Sequence, residues 1–169
     1  MKTEDLKAKQ APLKERYRAS PSDALITLKA TGRIGEGVTC RLETASKMAQ
    51  AGLHPATGGD GMSLCSGDML LQALVACAGV TLSAVATSLA IPLEDALLTA
   101  EGDWDARGTL GVSKEAPVGL KAIRLIFDLK TTATSEQIDT LLRLTERYCV
   151  VYQTLRQGVP LETKRVEIS

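Results

Sequence analysis

The sequence predicts an α+β domain, and three features predict it. Residues 69–93 carry no charged side chain, a run too long for a strand and without a polar face, as expected of a helix buried on every side. Ile123, Leu125, Phe127 and Leu129 alternate with polar neighbours, the period of a strand with one buried face. Ile138, Leu141, Leu142, Tyr148, Cys149, Tyr152 and Leu155 recur every three or four residues, the stripe of an amphipathic helix.

With 169 residues, 44% of them apolar and 24% charged, the chain can build one core and is too short for two ordinary domains. Residues 1–22 read as a helical arm and 23–169 as the single domain. The arm, over 3–18, is charged, helix-favouring and loosely packed, and is ended by Pro21. Residues 24–30 and 37–43 are short and rich in branched side chains. They form a hairpin whose connection contains Gly32 and Gly35. Residues 52–67 are a glycine-rich loop leading into the charge-free helix. Ser66 or Asp68 can cap that helix, and it ends before Pro92. Residues 97–104 and 120–131 supply two more strands. Thr134 and Gln137 have capping-box spacing at the head of the second long helix, which Gly158 ends, and 159–168 form a last strand.

Lysine and arginine balance aspartate and glutamate at 20 each, so net charge points to neither nucleic acid nor an anionic membrane as a partner. The charge-free run is long enough for a bilayer. Against that reading, Gln72, Gly79, Thr81, Ser83, Thr87 and Ser88 interrupt it, and acidic residues flank it where basic anchors are expected. So long an all-round apolar helix in so small a chain calls instead for a second subunit, an obligate homodimer. The first twenty residues lack the apolar core of a secretory signal, so the expected location is cytoplasmic. There, four cysteines argue against a disulfide framework, and the lack of Cys-x-x-Cys argues against a zinc ribbon or thioredoxin motif.

Cys77 and Cys149 both fall inside stretches read as helix. Facing helices can bring two thiols into a dithiol/disulfide cycle, although a lone helical cysteine is more often a small apolar core residue. Cys77 lies about two and a half turns into its helix, beyond the reach of the helix dipole, so a reactive thiolate there needs a nearby arginine. Cys65, at the helix entrance, is a further thiol. His54, the only histidine, sits in the preceding loop, where glycines such as Gly59 let backbone approach a ligand. A Cys-His hydrolase lacks a legible third residue. A zinc site lacks ligand-pair spacing, and the Thr57–Gly61 loop lacks the Lys-Ser/Thr of a phosphate loop.

The run Asp68-Met69-Leu70-Leu71-Gln72-Ala73-Leu74-Val75-Ala76-Cys77 resembles the first cysteine helix of the OsmC and organic hydroperoxide resistance family. Glu146-Arg147-Tyr148-Cys149-Val150 resembles its second cysteine motif. The resemblance covers roughly residues 24–168. It implies an intertwined homodimer in which antiparallel sheet wraps two long central helices, with active sites at the subunit interface. It also implies thiol-dependent reduction of organic hydroperoxides, with Cys77 as the peroxidatic and Cys149 as the resolving cysteine. Arg33, in Gly32-Arg33-Ile34-Gly35, matches the activating arginine, and Asp68 the acid that holds it. His54, Gly59 and Cys65 are candidates to line the substrate site. No cofactor or metal is implied, only an external dithiol reductant, which in the family can be a lipoyl-bearing protein. Two departures stand out. In the peroxidase branch the acid lies one position earlier, where this chain has Gly67, and many relatives have a proline after the second cysteine, where this chain has Cys149-Val150-Val151. A dimer that keeps the fold and binds a small apolar ligand without peroxide turnover is the alternative.

Overall fold

A computed structural model of the chain describes residues 3–34, 40–42, 51–62 and 64–165. Helix α1 spans Thr3–Ala19, and β1 (Leu25–Ile34) and β2 (Cys40–Leu42) follow. Two short strands, β3 (Ala51–Gly52) and β4 (Leu64–Cys65), flank a 3-10 turn at Pro55–Thr57. Helix α2 runs Ser66–Ser88, then come β5 (Asp95–Asp105), the single turn α3 (Ala106–Thr109) and β6 (Leu120–Lys130). The chain closes with α4 (Ser135–Tyr148) and α5 (Val150–Gln157).

The main sheet has the order β2-β1-β5-β6, and every pairing in it is antiparallel. Pairing of Ala96 with Leu129, Leu98 with Phe127 and Ala100 with Leu125 puts these apolar residues on one face. Leu71, Leu74, Val75, Ala78 and Leu82 of α2 pack against that face, with Leu141 behind them. Gly102 is the point of closest approach, because a Cβ there would stand 3.1 Å from Leu120 and 3.4 Å from Leu71. The opposite face is polar and laced with ion pairs, Arg124 to Asp103 and Glu101, Lys130 to Glu94, and Arg33 to Asp95. Exposed pairs of this kind contribute little to stability; they mark the solvent side.

Several expectations change. β1 continues through Gly32 and Arg33 to Ile34, so these two lie in the strand and not in the hairpin connection. The arm is docked and not loose. Tyr17 is fully buried with Trp104, Ala106 and Leu110, its hydroxyl donates to the Ala56 carbonyl at 2.9 Å, and Gln10 donates to the Thr57 carbonyl at 3.1 Å. Cys65, not Ser66 or Asp68, is the N-cap of α2, and it makes no side-chain cap bond. The capping box of Thr134 and Gln137 forms as the spacing predicts. The helix that follows is broken in two at Cys149. Residues 158–165 form no strand, and 166–168, the rest of the expected one, lie outside the described residues. A strand needs a partner edge, and among the described residues 158–165 join no sheet.

Candidate active site

Cys149 ends α4 with extended backbone (φ −72°, ψ 108°) and caps α5, its Sγ accepting from the Tyr152 N–H at 3.4 Å. The turn this makes carries its side chain inward. Cys149 is fully buried in the core cluster that also packs Cys77 of α2, and both thiols are free. Burial pushes the Cys149 thiol up to about 11; the Tyr152 N–H opposes this and the neighbouring Cys77 adds to it. Cys149 is therefore a neutral thiol at pH 7, beside a Cys77 that is only half buried.

Cys77 belongs to an outward stripe of α2. Leu70, Ala73, Val80 and Ala84 are exposed at spacings of three and four around it, and Leu89, Tyr148 and Val150 extend the apolar surface. Asp68 precedes Cys77 by nine residues, about two and a half turns, so it leaves the helix on the opposite side. Its partner is His54, whose charge draws the carboxyl down against the larger upward push of burial. Arg33 stands opposite Leu97 on the polar face of the sheet and pairs with Asp95, while Cys77 packs with the inner cluster. Within one protomer neither expected partner reaches Cys77, and among the described residues no cation is paired with it.

The remaining candidates gather at the head of α2. His54 meets Trp104 edge-on, with ring centroids 5.7 Å apart at 84°, and its Nδ1 accepts from the Ala56 N–H at 3.0 Å. Gly59 turns the same loop so closely that a Cβ there would lie 1.6 Å from the Leu53 carbonyl oxygen; its lack of a side chain serves the loop's own backbone. Cys65 lines a cavity of about 370 Å³ with Leu70, Trp104, Val118 and Leu120. Twelve residues of helix rise separate Cys65 from Cys77, about 18 Å, too far for a bond between them in one protomer. Among the described residues no cluster of three or more His, Cys, Asp or Glu could hold a metal ion.

The family model for OsmC-like proteins matches residues 58–164, a span that includes both cysteines and the helices bearing them. The chain belongs to the OsmC-like family. Its fold is shared with the crystal structure of an OsmC-like hydroperoxide resistance protein from Jannaschia sp. CCS1, at a TM-score of 0.63 and 17% identity over 86% of this chain and 95% of that one. Among curated proteins none matches.

Chemically, this OsmC-like site offers one accessible thiol, a second thiol poised behind it and a solvent-excluded wall. Sequence reasoning missed the residues around Cys149. Tyr152 enters the stripe only as a core side chain, yet it caps the sulfur through its N–H, and burial, with Glu146 adding to it, pushes its own hydroxyl up.

Proposed function

We propose that this protein is a thiol-dependent peroxidase for organic hydroperoxides that works as a homodimer. The observation that carries the proposal is the packing of Cys77 and Cys149 into one core cluster, in a family whose structural neighbour is named for hydroperoxide resistance. The Cys77 thiolate attacks the distal oxygen of ROOH; the O–O bond breaks, the alcohol leaves with a proton, and Cys77 becomes a sulfenic acid. Cys149 then condenses with it, releasing water and forming the disulfide. An external dithiol, of the lipoyl type where a protein carries it, returns both thiols by exchange. The cytosol would supply such a reductant.

A second copy has two parts to play. It covers the apolar stripe around Cys77, which a soluble monomer rarely leaves open, and it supplies the cation that the described protomer does not place at that thiol. We assign the latter role to Arg33, acting in trans or after leaving Asp95. Leu161 in the 158–165 segment is 91% exposed and β6 lies at the edge of the sheet among the described residues, two surfaces that strand pairing between copies would use.

Turnover of cumene hydroperoxide with dithiothreitol, together with sedimentation of the reduced protein, tests the reading. Sustained consumption by a dimer is expected; a monomer, or a dimer without turnover, contradicts it. One observation favours the alternative of ligand binding. A groove of about 300 Å³ between β6 and α5 is lined by Leu74, Leu125 and Leu155, with Lys121 and Arg156 also in its wall. A dimer inert to peroxide that binds an apolar anion would use it.

A further inference from the structure

His54 and the helical arm α1 meet on one residue, Ala56. His54 is the N-cap of the 3-10 turn Pro55–Thr57, and its Nδ1 accepts from the Ala56 N–H at 3.0 Å. The carbonyl of the same Ala56 accepts from the Tyr17 hydroxyl at 2.9 Å, and the next carbonyl, of Thr57, accepts from Gln10 Nε2 at 3.1 Å. Both arm bonds therefore end on the turn that the imidazole caps. Gly58, at φ +92°, closes that turn against α1, where a Cβ would stand 3.3 Å from Lys9 Cβ. The apolar hold is small, Leu13 and Tyr17 with Trp104, Ala106 and Leu110, and Ala56 packs on the same cluster.

We propose that His54 is a proton-operated latch: neutral, it caps the turn that holds α1, and charged, it releases the arm. The proposal is independent of the thiol chemistry. A ring nitrogen that accepts an N–H carries no proton, so the capping imidazole is neutral with its proton on Nε2. Protonation makes Nδ1 a donor as well and sets two donors against each other across 3.0 Å. The ring must then turn out of the cap, and the Ala56 N–H loses its partner. The bonds from the Thr57 and Gly59 N–H groups to the His54 carbonyl, at 2.8 and 3.1 Å, need no imidazole, so the turn loosens without unravelling. Loss of a side-chain cap shifts a local equilibrium about fivefold. The arm is sensitive to that shift, because a charged helix of 17 residues with Pro12 inside it is marginal once undocked.

The charged groups on the surrounding elements act in the same direction. From α2 comes Asp68, whose carboxylate attracts an imidazolium. From α1 come Lys9, beside Gly58, and Arg16, whose Nη2 lies 3.4 Å from the Tyr17 hydroxyl; a cation at His54 repels both and favours release. The end of β5 brings Asp105, held by Arg107 of α3 at 2.6 Å, and the loop brings Asp60, which accepts from the Met62 N–H at 2.9 Å. Release uncovers Trp104, the one tryptophan of the chain, which is 9% exposed with the arm in place and forms a wall of the cavity that Cys65 lines.

Hydrogen exchange read by mass on peptides from residues 8–19, corrected for the intrinsic dependence of exchange on pH, tests the latch, with the emission maximum of Trp104 measured alongside. Between about pH 7.5 and 5.5, the span in which histidine ordinarily changes charge, protection of the arm is expected to fall about fivefold and the emission to move to the red. His54→Asn keeps a side-chain oxygen for the Ala56 N–H and takes up no proton, so it should hold the arm at both pH values. His54→Ala has no cap and should show the low protection at both. Asp68→Asn should keep the transition, at the same or lower pH. Equal protection of the unmodified protein at the two pH values overturns the proposal. A fall that persists in His54→Asn overturns it too, as does a transition that is absent from Asp68→Asn down to the pH at which that variant unfolds. Where His54→Ala folds poorly, the comparison of unmodified protein with His54→Asn decides.

Discussion

Cys149 closes one helix, caps the next, and in doing so packs into the core cluster that holds Cys77 of a third. Neither cysteine needs a loop to reach the other, and the two differ sharply in access. The half-buried Cys77 can meet a peroxide; the buried Cys149 can meet only what Cys77 becomes.

That asymmetry separates the effects of removing each thiol. Cys77→Ser is expected to reduce turnover of cumene hydroperoxide to the uncatalysed background. Cys149→Ser should still consume one equivalent rapidly and then stall as Cys77 is over-oxidised. Stopped-flow rates combined with intact-mass measurements distinguish the two, since only the second variant gains oxygen atoms on Cys77.

Burial holds the Cys149 thiol at about 11, above its ordinary 9.0. A group whose folded pKa is raised keeps its proton more tightly in the folded state. Its contribution is therefore fully present below pH 9 and is lost as pH rises through about 11. Urea denaturation of reduced protein should show stability falling across that window. Cys149→Ala should flatten the fall, whatever its effect at neutral pH.

Asp105 shows the opposite sign. It is almost wholly buried and accepts from Arg107 Nε at 3.0 Å and Nη2 at 2.6 Å, bonds that pull its carboxyl below the usual 3.8 despite burial. Asp105→Asn is expected to cost about 2–3 kcal/mol at pH 7, the scale of hydrogen bonds to a charged group. Because the folded pKa is depressed, the carboxylate's contribution is present above 3.8 and is lost as pH falls through the folded value. The penalty should shrink in acid, as denaturation at pH 7 and below pH 3.8 will show.

Two glycines separate steric cost from backbone cost. Gly59→Ala would drive a Cβ into the Leu53 carbonyl and is expected to destabilise by about 3 kcal/mol or more. Gly111 has φ +65° with open space around it, so Gly111→Ala should cost only about 1–2 kcal/mol, the ordinary penalty of left-handed backbone. Thermal unfolding of the two variants gives the ranking.

Much of the architecture is legible in local pattern. The alternation from Ile123 to Leu129 marks β6, Thr134 and Gln137 mark the start of α4, and the charge-free run marks α2. What the pattern hides is set by tertiary contacts. The stripe through Cys149 is continuous in sequence, and only its backbone turn, fixed by the Tyr152 cap and the ties of Gln153 to α4, divides it. Tyr17 lies in a charged segment, and its burial depends on Trp104 and Ala56, far away in the chain. Asp68 could have been assigned from counting alone. Nine residues cannot bring two side chains to one helix face, whereas the motif resemblance placed the acid beside Cys77. Arg33 needed the register of β1 against β5, which no local signal carries. Residues 159–165, the described part of the expected last strand, have a strand's composition but join no sheet among the described residues.

The most direct measurement is disulfide mapping after a single equivalent of oxidant. Reduced protein is mixed with one equivalent of cumene hydroperoxide, quenched in acid, alkylated and digested, with hydrogen peroxide run in parallel. A rapid Cys77–Cys149 disulfide, formed faster with the organic peroxide and leaving Cys65 and Cys40 free, is the predicted result. Four free thiols after the same treatment would contradict it.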